Sequence, residues 1–191
     1  MREYMSRLWK LVIEYNILIV LIILVLVSSA ISPAFLTERN ILNLLRQVSG
    51  LGIISMGMLL VILTGGIDLS VGSVLAVGST TLAWSLGFLP LPLAVLFALL
   101  AGSLLGSASG MLVAKTKMAP FVATLAMMTI GRGLAFILSQ GHPIITNSEG
   151  LEWFGRGYFL RVPLPVVLML AVFLLCAVLL RQTVFGRLVT A

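Results

Sequence analysis

The run Thr64-Gly65-Gly66-Ile67-Asp68-Leu69-Ser70-Val71-Gly72 holds the single aspartate of the chain, set between two apolar stretches. Adjacent glycines can end a helix by adopting positive φ. A carboxylate just beyond them can accept from the free N–H groups that open the next helix. Two readings stay open for this segment. It is a tight turn between two membrane spans, whose residue types capping alone explains. Or it is a break inside a helical bundle, where freed backbone groups face a translocation path. Arg132, between Gly131 and Gly133, is the second candidate, because an ionisable residue inside an apolar span is a functional hypothesis by default. It lies fifteen residues beyond Lys117, roughly 22 Å at helical rise. That is the outer part of a bilayer core about 30 Å thick. There a long cationic stem also reads as snorkelling to the headgroups, or as pairing with an external carboxylate.

Bond-making chemistry has no evident home. The one histidine, His142, has no Cys, His or carboxylate at ligand spacing, so no metal site is expected. His142 and Asp68 fall in different membrane regions, which leaves no Ser-His-Asp set, and no catalytic residue or cofactor is expected. Cys176 sits alone in an apolar run. No phosphate-binding G-x-x-x-x-G-K-[ST] occurs, and none of Lys10, Lys115 and Lys117 follows a glycine. Any ATP must therefore be bound by another chain.

The elements that position these residues are written in the composition. Of 191 residues, 60% are hydrophobic and 9% charged, against about a quarter charged in a soluble domain. Mean hydropathy is +1.19. Such a chain cannot cover itself with a polar skin, and its natural solvent is lipid. The net charge of +6 would suggest nucleic acid only if the cations clustered on one exposed face. They lie instead in the gaps between apolar runs, so no nucleic-acid partner is expected.

Six spans are predicted: about Tyr15–Ser32, Val48–Leu63, Leu69–Leu86, Leu93–Ala114, Pro120–Leu138 and Leu164–Leu180. A basic head followed by the first apolar run also fits a cleaved signal peptide, but the further spans favour an uncleaved one. Thr37–Gln47 is amphipathic, either an interfacial helix or the polar start of the second span. Gly102, Gly106 and Gly110 form a small-residue stripe expected to serve close helix packing. Residues 139–163 read as a long polar external loop with a short helix near Trp153-Phe154. With the amino terminus in the cytoplasm, Arg2, Arg7 and Lys10, then Lys115 and Lys117, then Arg181 and Arg187 all fall on one side, as the positive-inside rule asks.

Three stretches go further. The run from Gly57 to Ser73, centred on Thr64-Gly65-Gly66-Ile67-Asp68-Leu69-Ser70, strongly resembles the signature of ribose-type sugar permeases of ATP-binding-cassette (ABC) importers. So do Gly110–Lys115 followed by Ala119–Leu125, and Arg132-Gly133 followed by Gly141–Ile144. Ser109 stands where family members commonly carry Asn. The resemblance covers about Ser32 to Gly186. It implies an all-α polytopic transmembrane bundle, here one permease domain over 1–191, with the carboxy-terminal part of the family fold missing. The chain resembles the amino-terminal part of a permease, and it ends before the family's cytoplasmic coupling loop.

The resemblance further implies a pore-forming subunit of an importer for a small sugar such as ribose, in a bacterial inner membrane. Its implied partners are an ABC ATPase subunit, a periplasmic or extracellular sugar-binding protein, a second permease subunit and the lipid bilayer. Translocation-path candidates are Thr64, Gly65, Gly66, Asp68 and Ser70 at the break, Phe121 and Thr124 from the second resembling stretch, and Arg132. The alternatives are a secondary transporter or channel, and a non-transporting truncated permease. Apart from Asp68, at the break between two of them, no acidic residue lies within the predicted spans, which leaves a proton relay few members.

Overall fold

A computed structural model describes residues 15–190. The basic head at 1–14, with Arg2, Arg7 and Lys10, lies outside the described residues. The chain divides into two compact units, 1–47 and 48–191.

In the first unit, helix α1 (Asn16–Ile31) is apolar on every side and buries no residue. It stops at Ser32, whose extended backbone is what the following Pro33 requires. Thr37 then caps the next helix. Its hydroxyl donates to the Ala34 carbonyl at 2.7 Å and accepts from the Asn40 N–H at 3.4 Å. Helix α2 (Glu38–Leu63) starts there and carries the chain into the second unit. The amphipathic Thr37–Gln47 stretch is therefore the polar start of a span and not a separate interfacial helix.

The second unit contains the rest of α2, then α3 (Val71–Ser85), α4 (Leu91–Thr116), α5 (Pro120–Ser139), α6 (Glu149–Arg156), a hairpin of β1 (Tyr158–Phe159) and β2 (Val162–Pro163), α7 (Leu164–Gln182) and α8 (Val184–Thr190). Six apolar helices stand where six spans were predicted. Four of them, α2, α4, α5 and α7, are long and apolar enough to cross a bilayer, while α1 and α3 are shorter. The 15 residues of α3 reach roughly 22 Å at helical rise. Its predicted start at Leu69 moves to Val71, because Asp68 to Ser70 form a turn of their own.

Helix α3 is the packing centre, with α4 and α5 laid against it. Its buried stripe is Ser70, Ser73, Val77, Thr81 and Ser85, residues three or four apart and thus on one helix face. It meets the stripe Ala123, Thr124, Met127 and Gly131 of α5. A Cβ placed on Gly131 would lie 2.8 Å from Ser73 Oγ and 2.9 Å from Ser73 Cβ, so the two helices touch nearly backbone to backbone there. Helices in lipid associate through such close van der Waals fit of small residues. Two of the hydroxyls this buries bond along their own helix: Ser73 donates to the Ser70 carbonyl at 2.7 Å and Ser85 to the Leu82 carbonyl at 3.1 Å. Helix α7 approaches α2 closely at Gly52, where a Cβ would meet Met169 Sδ at 2.5 Å.

The loop predicted for 139–163 contains more order than expected. Helix α5 ends with Gln140 at φ 52° and Gly141 at φ 72°. The Gly141 N–H reaches back to the Phe136 carbonyl at 3.1 Å, a Schellman closure. The short helix expected near Trp153 is α6, capped by Ser148. The hairpin was not foreseen. Its two-residue turn puts Leu160 at φ 50° and Arg161 at φ 69°, where turn chemistry favours Asn and Gly.

Candidate functional site

The Thr64–Ser70 segment resolves into two stops placed back to back. At the first, α2 closes in a Schellman motif. Gly65 takes φ 77°, its N–H reaches the Ile62 carbonyl at 2.9 Å, and the Gly66 N–H reaches the Val61 carbonyl at 3.3 Å. Thr64 also donates its hydroxyl to Val61 at 2.6 Å. Of the two glycines, Gly65 alone adopts positive φ. At the second stop, one carboxylate oxygen of Asp68, Oδ1, accepts from the Ser70 N–H at 2.7 Å and from the Ser70 hydroxyl at 2.6 Å. Asp68 thus braces the residue before α3 and does not cap the free N–H groups of its first turn. Ser70 is 1% exposed, and its carbonyl accepts from the N–H groups of Ser73 and Val74, both at 2.9 Å.

This break borders a cavity of about 370 Å³. Thr64, Gly66, Ile67 and Asp68 form one wall, the α4 residues Gly106, Ser109 and Gly110 a second, and Pro120 and Thr124 at the start of α5 a third. The Thr124 hydroxyl donates to the Pro120 carbonyl at 2.8 Å and lies 3.3 Å from the Ile67 carbonyl, which ties α5 to the break across 57 residues of sequence. Of the predicted candidates, Thr64, Gly66, Asp68 and Thr124 meet here, and Ser70 stands behind Asp68 as its donor. Gly65 forms the turn and does not line the cavity. Phe121, 54% exposed, is likewise outside the lining. Arg132 is exposed two turns further along α5 and away from the cavity.

Sequence reasoning assigned the Gly102–Gly106–Gly110 stripe to packing. That holds for Gly102 alone, where a Cβ would sit 3.4 Å from Val74 Cγ1. At Gly106 and Gly110 nothing lies within 4 Å, and both border the cavity instead. Missing side chains make room, and which neighbour fills the room depends on how the helices cross. Ser109 was noted only as a departure from the family pattern. It is 4% exposed and lines the cavity, and its hydroxyl has no hydrogen-bond partner among the described residues. Among those residues no cluster of three or more His, Cys, Asp and Glu could hold a metal ion.

Long apolar helices, hydroxyl-lined helix contacts and a span interrupted beside a cavity define a polytopic helical membrane protein. A family model described as branched-chain amino acid transport system / permease component matches residues 40–191, and the chain belongs to this permease family. It is 48% identical over 171 residues to a ribose import permease protein of Bacillus subtilis, covering 87% of this chain and 53% of that protein. It is 40% identical to the ribose import permease protein of Escherichia coli K12, covering 100% of this chain and 60% of that one. A galactofuranose transporter permease protein of the same strain is 39% identical, with 91% and 54% covered. The chain therefore spans little more than half the length of these relatives. No solved structure matches it.

Proposed function

We propose that the chain acts in the pore-forming subunit of an ABC importer for a small neutral sugar, of the kind its relatives are named for. The observation that carries this reading is the pairing of that kinship with an interrupted span whose polar groups border a cavity. Residues 1–191 would form part of one permease domain in a bacterial inner membrane, with the amino terminus in the cytoplasm. Thr64, Gly66, Asp68 and Thr124 would line the inner part of the path, since the cavity reaches the turn of α4 at Val113, just before Lys115. Phe121 and Arg132 would serve elsewhere along it. The partners would be an ATPase, an external sugar-binding protein and a second permease subunit.

In this reading the chain breaks no bond. It changes packing as nucleotide binds to its partner, and a bound sugar shifts the balance of packings by its differential affinity for them. The test is removal of the chain from its host. Uptake of ribose or a similar small sugar should be lost, and restoring the chain should recover it. The same uptake should vanish when the cassette ATPase is deleted. Unchanged uptake of ribose, arabinose and galactose without the chain would overturn the reading. Uptake that needs the chain but survives loss of the ATPase would point to a secondary transporter.

A further inference from the structure

Two hydrogen-bonding groups at the helix break are unused. Asp68 spends Oδ1 on both of its bonds to Ser70, so Oδ2 accepts from no described donor. Across the cavity, Ser109 is 96% buried and its hydroxyl is unmatched, although a helical serine ordinarily bonds back to the carbonyl one turn before it. The Ser109 oxygen is not closed off by neighbouring atoms, so it is free to bond to what enters the cavity. Thr64 and Thr124, the other hydroxyls on the wall, have each donated their proton to a backbone carbonyl. What remains is one charged acceptor and one hydroxyl that can both donate and accept. Both residues border one cavity, which has no side chain at Gly106 or Gly110.

From this arrangement we infer that Asp68 Oδ2 and Ser109 Oγ form a hydrogen-bonding pair that holds a polyhydroxylated neutral ligand, a sugar, at the inner end of the path. A ligand hydroxyl donates to Oδ2, and a second oxygen of the ligand exchanges a bond with Ser109. The glycines of α4 leave room for the carbon ring. A cavity of about 370 Å³ lies in the range of roughly 300–1,000 Å³ usual for small-molecule sites. Asp68 then has two jobs that fall on different oxygens: Oδ1 holds the turn and Oδ2 reads the ligand. This inference rests on the permease reading and assigns residues within it.

The experiment is protection from alkylation. The full chain carrying Val113→Cys, which borders the cavity one turn from Ser109 and leaves the pair intact, in a Cys176→Ser background is placed in lipid nanodiscs and treated with a small maleimide. D-ribose, L-arabinose and D-galactose are each tested as protectants. Leu104→Cys, on α4 but outside this cavity, serves as the reference. A sugar at four times its Kd fills four-fifths of the sites and should slow alkylation at position 113 about fivefold, leaving position 104 unchanged. Adding Asp68→Asn should abolish that protection while the protein stays folded, because the amide keeps an oxygen for Ser70 and replaces the second acceptor by a donor.

No slowing by any of the three sugars overturns the inference. Equal slowing by sodium chloride without sugar also overturns it, because the site would then be a cation site. Protection that survives Asp68→Asn removes Asp68 from the pair and overturns the inference as stated. Host uptake distinguishes the two levels. If uptake depends on the chain but position 113 is never protected, the permease reading stands and this site is struck from it.

Discussion

At the scale of single residues, the two oxygens of Asp68 separate structure from recognition. Asp68→Asn retains an acceptor for the Ser70 N–H and hydroxyl. Asp68→Leu leaves both donors unmet, at about 1 kcal/mol for a typical lost cap. Thermal unfolding in detergent should rank wild type and Asn close together and Leu clearly lower; equal loss in both would give the charge itself a structural role. Gly65 offers an independent check. Its φ of 77° suits glycine, so Gly65→Ala should destabilise by about 1–2 kcal/mol and Gly65→Asn by less. Denaturation midpoints decide this, and no difference between Ala and Asn would remove the positive φ from the account. Much at this scale was legible in advance, because Thr-Gly-Gly-x-Asp names its own turn chemistry. Ser109 was not legible, because nothing local in a helical serine says whether its hydroxyl bonds back along the helix or faces a void.

At the scale of elements, the contact between α3 and α5 depends on one missing methyl group. Gly131→Ala would force a carbon within 3 Å of Ser73 Oγ and Cβ. Overpacking of this kind costs about 1–3 kcal/mol. Gly133→Ala, two residues on and open to space, should be neutral or slightly stabilising, since alanine favours helix. A pair of melting curves checks the contrast, and Gly133→Ala proving as harmful as Gly131→Ala would refute the packing described. Hydrophobic runs located these helices well, because long apolar segments bounded by Pro33, Gly65, Lys117 and Gly141 admit few alternatives. The hairpin at Tyr158–Pro163 escaped notice for the opposite reason. Leu160 and Arg161 sit in a turn that local chemistry disfavours, so its formation depends on what surrounds it and not on its own sequence.

At the scale of the whole molecule, orientation is the testable claim. In a Cys176→Ser background, Thr116→Cys should resist an impermeant thiol reagent applied to intact cells, and Asn147→Cys should react within the same exposure. Both sites lie outside buried structure. Labelling at 116 from outside would reverse the topology. The basic residues at Lys115 and Lys117 are what carry this expected orientation. The convergence of α2, α4 and α5 on one cavity was not readable, because periodicity finds the faces of single helices and is silent about which faces meet.

The Ser73–Gly131 contact also limits how this molecule can work as a machine. With Ser73 set against bare backbone, α3 can neither roll about its axis nor slide along α5 without a collision. In any change of packing the two helices would then travel together as one lever. The packing is open instead at the seam beside Gly106 and Gly110, where nothing lies within 4 Å of either glycine. A stroke of that lever would widen or close the gap beside Ser109 and leave the α3–α5 pair undeformed.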